Sequence, residues 1–292
     1  MDDTCLLDIK SDYIFKLVFG SEKNKDVLIS FLNAVFKGNP KVRDIQLKNT
    51  EIAKILKNNR TVRLDVKADI GNRCFVDVEI QVRNTGDIID RGIQYLSSMM
   101  VENFDAKSKE AEDDDGISSY KFPKVIGIWI LAKSITERKS AVNEAVMTFQ
   151  KNQMDDYKIA SDKIRLFTIE LPKFNPKKLD RKNMLDVWMT FLKDPLNDEA
   201  QQVKEVHKAL DTLKEVSADE EVRELYRLRN ETEFGYISEM TIKSQKAKEE
   251  GRAEGAREKA IETARKMLQK GLDFSDISEF TGLSPEEIGR LK

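Results

Sequence analysis

A chain of 292 residues carrying 50 Lys and Arg against 52 Asp and Glu has a net charge of −2, so no global field draws it to nucleic acid or to an anionic membrane. Its length suits one sizeable domain with an appendage, or two small domains. The absence of a span-length apolar run, of a secretory hydrophobic segment and of more than two cysteines (Cys5 and Cys74) implies a reduced, cytoplasmic protein with no disulfide framework or zinc knuckle.

Residues 11 to 37 read as two helices. Ser11 or Asp12 caps the first, whose stripe is Ile14, Phe15, Val18 and Phe19 before Gly20 ends it. Leu28, Phe31, Leu32, Val35 and Phe36 follow the spacing of the second. Val42 to Asn49 alternates loosely and reads as a first strand.

The run from Arg63 to Gln81, RLDVKADIGNRCFVDVEIQ, is more informative. Asp65, Lys67 and Asp69 alternate with Val66, Ala68 and Ile70; Asp77, Glu79 and Gln81 alternate with Val76, Val78, Ile80 and Val82. Period-two alternation marks half-buried strands, and Gly71-Asn72 punctuates a hairpin. A two-residue loop would set Asp65 opposite Val78 and send Glu79 to the other face. A three-residue loop, Gly71 to Arg73, pairs Ile70 with Cys74 and Asp65 with Glu79. Only that register keeps aliphatics with aliphatics, because a one-residue slip flips every side chain. It is the expected one, with Gly71 or Asn72 at positive φ. Paired carboxylates then sit about 5 Å apart at Cβ, close enough to share a divalent cation. On spacing alone an ordinary amphipathic hairpin, acids turned to solvent, is the better reading.

Asp87 to Phe104 reads as a helix with Ile88, Ile89, Ile93, Leu96, Met99 and Met100 inward, and with Arg91 and Tyr95 one turn apart. Lys107 to Asp115 is a solvated charged run. Val125 to Ala132 is a continuous apolar strand covered on both faces, and Ile164 to Leu171 is a further strand. From Asn175 the pattern is helical. Met184, Leu185, Trp188, Phe191 and Leu192 form one face, Val203, Val206, Leu210 and Leu213 another, and Leu225, Leu228 and Phe234 act as later anchors. Ser244 to Lys270 is a charged, marginal helix or connector. Leu272 to Phe280 is a short helix, and Ser284-Pro285-Glu286-Glu287 is a capping box with Leu283 stapled to Ile288. Two short helices around a turn suggest a helix-turn-helix, but Glu286 and Glu287 at the second helix would face phosphates badly. A packing or partner-binding hairpin is the preferred reading. The lone histidine, His207, lies in a charged helix and argues against a histidine-based nuclease.

Asp65, thirteen residues, then Glu79-Ile80-Gln81 resembles the active-site signature of PD-(D/E)XK nucleases. Glu-x-Gln in place of Glu-x-Lys resembles the Rpn-type recombination-promoting nucleases, the PD-(D/E)XK nuclease family transposases. The flanking SDYIFKLVFG, GISSYKFPKVIGIWIL, IELPKF and EEGRAEGARE phrases extend the resemblance over nearly the whole chain. It implies an α/β fold with a restriction-endonuclease-like α-β-β-β-α-β core and a C-terminal helical extension. The expected division is a core over 1–175, a helical extension over 176–243, a charged connector over 244–270 and a helical hairpin over 271–292. The C-terminal helices are the expected place of self-association.

The resemblance further implies Mg²⁺-dependent DNA cleavage, with Asp65, Glu79 and the Ile80 carbonyl as metal ligands. Asp12 would reach the metal or cap its helix, and the two roles are compatible. Gln81 would position water but cannot supply charge. Lys67 would supply the missing charge or be a surface lysine. Arg91 would hold a phosphate, pair with a site carboxylate, or be an ordinary surface arginine. Glu170 and Lys173 read as structural. The alternative function is a catalytically weak or inactive DNA-binding or protein-interaction module on the same scaffold.

Overall fold

A computed structural model describes residues 6–48, 65–81, 88–104, 122–150 and 157–291. Six strands form one mixed sheet in the order β1-β2-β3-β4-β6-β5: β1 (Gln46–Lys48), β2 (Val66–Asp69), β3 (Cys74–Gln81), β4 (Lys124–Leu131), β5 (Val142–Gln150) and β6 (Tyr157–Glu170). The β1-β2-β3 pairs are antiparallel, β3, β4 and β6 are parallel, and β5 closes the far edge antiparallel to β6. This is the expected α/β core, with β5 added to it.

The helices sort by sheet face. Helices α1 (Asp12–Phe19), α2 (Lys25–Phe36), α4 (Met184–Lys193) and α5 (Lys204–Ala218) share one apolar cluster with Val66, Val76, Val78, Ile126, Ile128 and Ile130. Helix α3 (Ile88–Glu102) covers the other face over Val125, Trp129, Leu131 and Leu166. Strand β4 is therefore buried on both sides, as its unbroken apolar run requires. At the centre of the larger cluster Trp188 packs against Phe19, Phe31 and Phe191 at 5.5, 6.0 and 5.9 Å between ring centroids, and its Nε1 donates to Ser30 Oγ at 3.3 Å. Trp188→Ala removes that aromatic junction and is expected to cost about 3–5 kcal/mol, read as a lowered denaturation midpoint for the core.

Several local expectations need revision. Strand β1 is shorter than Val42 to Asn49. Asn33 clamps Val42 through both backbone groups, each at 2.8 Å, and takes the donor and acceptor a strand would use; Asn49 lies outside the described residues. Strand β5 was not expected at all. Register shifts flank Met147, and a bulged strand loses the clean period of two by which strands are read. Helix α3 buries Ile88, Leu96 and Met99, but Ile89 and Ile93 are 44% and 53% exposed. Its close approach runs along Gly92, where a Cβ would lie 2.8 Å from Leu166 Cδ2, so the glycine row rather than the isoleucine row meets the sheet. Gly20 ends α1, yet not in the left-handed region: its φ is −95°, and a Cβ there would sit 2.8 Å from the Lys16 carbonyl oxygen. The charged run at Lys107 to Asp115 lies outside the described residues, as do Asp87, Gly116 and Tyr120 of the neighbouring expectations.

Packing divides the chain into two compact units, 1–227 and 228–292. Where composition suggested breaks near 175 and 270, α4 and α5 belong to the core cluster, and Ala260, Ile261, Met267 and Leu268 belong to a C-terminal one. The charged tract is helical, part of α6 (Glu220–Gln269). Phe234 is 72% exposed and is not an anchor.

The C-terminal unit has its own core of Ala264, Ile277, Leu283 and Ile288, built from the end of α6 with α7 (Phe274–Thr281) and α8 (Pro285–Gly289). The capping box at Ser284 and Glu287 is present, and Leu283 and Ile288 share the cluster as a staple does. Among the described residues no helix is long and apolar enough to cross a membrane.

Candidate active site

The hairpin between β2 and β3 fixes the site. Ile70 N donates to Cys74 O and Cys74 N to Gly71 O, both at 3.0 Å, which leaves a three-residue loop of Gly71, Asn72 and Arg73. All three have positive φ, at 84°, 52° and 54°. Arg73 was not expected there, and its left-handed backbone costs about 1 kcal/mol. Asp69 Oδ1 steadies the turn by accepting from Gly71 N at 2.8 Å. Val66 pairs with Val78, Lys67 with Asp77 and Ala68 with Val76. One further step of that register sets Asp65 against Glu79, on the face that carries Lys67 and Asp77.

That face is not a solvent face. Asp77 and Glu79 are each only 4% exposed, beneath the side of the sheet that α3 covers. Asp77 is the residue sequence reasoning passed over. Burial pushes its carboxyl well above the usual carboxylate range, the negative charge of Asp65 and a hydrogen bond to it push the same way, and Glu79 adds to them. Asp77 Oδ1 has no hydrogen-bond partner. Its alternation with Glu79 was legible, but the burial that makes it matter was not.

Positive charge surrounds these acids. Lys67 Nζ lies 3.3 Å from Asp65 Oδ2, and Arg91 Nη2 lies 3.7 Å from Glu79 Oε1 with its guanidinium 5.5 Å from the Trp129 ring centroid. Of the readings for Arg91, the structure gives the pairing with a site carboxylate. Burial would lower the Lys67 pKa, but Asp65 and Asp77 outweigh it and hold the ammonium above its ordinary value. Tyr95, one turn on from Arg91, packs on the same indole at 6.2 Å.

Asp12 sits in the first turn of α1, half-buried, its Oδ1 accepting from Tyr13 N at 2.7 Å. Ser11 occupies the N-cap position without a side-chain capping bond. One turn on, Lys16 is buried, and burial lowers its pKa against the opposing charges of Asp65, Asp77 and Asp12. Ile80 turns its side chain into the opposite core, so only its backbone is available to the site. Gln81 is the last residue of β3, in register with Leu131 of β4.

Glu170 and Lys173 have structural work elsewhere. Fully buried, Glu170 accepts from Ile135 N at 2.9 Å, Thr136 Oγ1 at 2.7 Å and Asn143 Nδ2 at 3.2 Å, and pairs with Lys173 at 2.7 Å. Burial would raise its pKa, but the bonds from Lys173, Thr136 and the two amides prevail and hold it low. It pins the loop between β4 and β5.

The sequence model for the PD-(D/E)XK nuclease family transposase matches residues 9–261. The chain belongs to that family. A second match, to the C-terminal HTH domain of the Rpn/YhgA-like nuclease family, covers residues 257–292. It overturns the preference for a simple packing hairpin. The objection from two glutamates weakens too, since Glu287 is occupied by the capping box and by Arg257 at 2.7 Å. Comparisons with curated proteins and with solved structures find no match.

A divalent ion would find few protein ligands here. Among the described residues no three His, Cys, Asp or Glu side chains form a ready cage. Mg²⁺ needs none, since it binds through one or two carboxylates and completes its shell with water and substrate phosphate. A buried oxygen without a partner, beside a second carboxylate it repels, is a donor set that gains from a cation.

Proposed function

We propose that the chain is a Mg²⁺-dependent DNA endonuclease that hydrolyses phosphodiester bonds, of the kind linked to recombination or transposition. The observation that supports this reading is the Val66–Val78 register across a three-residue hairpin, one further step of which would bring Asp65 to Glu79, with buried Asp77 on the same face. Family membership supports the reaction class.

Asp65 and Glu79, with the Ile80 carbonyl, would hold the ion, and Asp12 would join at the rim. Bound Mg²⁺ lowers the pKa of an attacking water, polarises the phosphoryl oxygen and steadies the leaving group. Buried Asp77 would add a third carboxyl to that face of the hairpin. Lys67 and Arg91 hold their carboxylates in place and offer positive charge to an incoming phosphate. Gln81 orients water by hydrogen bonding without adding charge. The C-terminal HTH domain supplies a second place for DNA, and the reducing cytoplasm is the setting in which the buried thiol of Cys74 stays free.

The second reading, a DNA-binding module with little or no turnover, draws on Gln81 standing where the wider superfamily has lysine. Supercoiled plasmid separates the two. Purified protein is expected to convert it to nicked or linear forms with Mg²⁺ and to stop on chelation. Retarded migration of the plasmid without nicking, in Mg²⁺ or Mn²⁺, favours the binder.

A further inference from the structure

Strand β4 carries a tryptophan where packing needs only an apolar side chain. Trp129 is fully buried beneath helix α3, and among the described residues its Nε1 finds no hydrogen-bond acceptor. An indole donor left unmatched in the interior is a cost that leucine or phenylalanine would avoid. What the indole adds is the face of its ring, the best cation–π surface among the side chains.

Register decides what that face meets. Trp129 pairs with Glu79 across the parallel β3–β4 ladder, so the two side chains leave the sheet side by side, toward α3. Arg91 of α3 reaches both. Its guanidinium lies 5.5 Å from the ring centroid, and its Nη2 lies 3.7 Å from Glu79 Oε1. Gly92 brings the helix down on the same ring, since a Cβ there would lie 3.7 Å from Trp129 Cζ2.

The ion pair is buried but loose. The side chains of Arg91 and Glu79 are 13% and 5% exposed, so neither charge can rely on water. A guanidinium fully committed to a carboxylate makes charge-assisted bonds of about 2.7–2.9 Å, often two at once. At 3.7 Å Arg91 is not locked in that way, and the indole is its second partner.

We propose that Arg91 is a displaceable counter-ion, occupying Glu79 in the metal-free protein and yielding that carboxylate to a divalent cation, and that Trp129 is the positioning residue whose ring holds the guanidinium once Glu79 is given up. The proposal rests on the metal-dependent reading above and deepens it. Arg91 offsets the buried charge of Glu79 until the ion takes over that task. Without the ring, Arg91 would lean harder on the carboxylate it has to release.

The test is Mn²⁺ binding, read by electron paramagnetic resonance without DNA at about pH 8, where a proton competes least for a carboxylate. Thermal unfolding checks that each variant folds. Arg91→Met is expected to bind Mn²⁺ about three- to tenfold more tightly than wild type, because a cation competing for the same carboxylate has gone. Trp129→Leu is expected to bind it several-fold more weakly, with Trp129→Phe, the weaker ring, in between. Combined with Arg91→Met, the same Trp129 substitutions are expected to change Mn²⁺ affinity by less than about twofold, as befits a residue acting through Arg91. Unchanged or weaker binding in folded Arg91→Met overturns the displacement. Equal shifts with and without Arg91 overturn the positioning role and leave Trp129 a packing residue. Should Arg91→Met or Trp129→Leu not fold, Arg91→Gln and Trp129→Phe carry the same comparisons. Plasmid cleavage, followed in parallel, keeps the two readings apart. Wild-type protein that binds Mn²⁺ and never cleaves defeats the nuclease reading, and the titrations still decide the roles of Arg91 and Trp129. Wild-type protein that binds no Mn²⁺ overturns both.

Discussion

Alanine at Asp65 or at Glu79 is expected to abolish metal-dependent cleavage, by about 10³-fold or more, whatever each does to stability. Extending the Val66–Val78 register by one step brings the two residues opposite each other, so each would contribute to the same local concentration of charge. Their structural costs differ. Asp65 is half-buried and its partner Lys67 can turn to solvent, so Asp65→Ala should fold with near wild-type stability. Glu79 is buried under α3 against Arg91, whose side chain is 13% exposed. Glu79→Ala leaves that guanidinium without its carboxylate and should cost about 1–3 kcal/mol, most of which Glu79→Gln should restore without restoring cleavage. Equal loss of activity with unequal loss of stability separates the chemistry from the packing. Cleavage that persists in both alanine variants would remove these residues from the active site.

Asp77→Asn is expected to make the metal-free protein more stable while lowering cleavage by about tenfold or more. The carboxyl is held above its usual range by burial and by the charge of Asp65. A group whose pKa rises on folding stabilises the protein fully below its unfolded value, near pH 4, and that stability is withdrawn as pH climbs toward the folded value. Wild-type metal-free protein should therefore lose stability as pH rises above about 4, on top of other titrations. Asparagine keeps the shape and carries no proton to lose, so the Asp77→Asn melting temperature should stay flatter from pH 5 to 8. Identical slopes in the two proteins would mean that Asp77 sits in a wetter place than its burial indicates. Bound Mg²⁺ should narrow the difference, because the ion supplies to wild type the positive charge that asparagine makes unnecessary.

How much of this was legible in the sequence varies residue by residue. The hairpin register was, because any slip would have set Asp65 against valines, and a face shared by acids and aliphatics does not pack. Strand β4 was, since VIGIWILA leaves no polar face. The Ser284 capping box was, because it is local chemistry written in four residues. What escaped depended on partners distant in sequence. Asp77 looked like one more solvent acid until α3 covered it. The inward face of α3 was misread because isoleucines advertise burial more loudly than glycine does, yet Gly92 sets the helix-to-sheet distance. Phe234 followed an apolar pattern that has no partner surface, and β5 was hidden by its own bulge.

The central claim is that the acids at 65 and 79 share one divalent cation. Titration of Mn²⁺ into the protein by electron paramagnetic resonance, without DNA, addresses it directly. One site per chain is expected in the wild type, weakened at least about tenfold in both Asp65→Ala and Glu79→Ala and displaced by excess Mg²⁺. A site of unchanged affinity in either folded variant would contradict a shared ion between those strands.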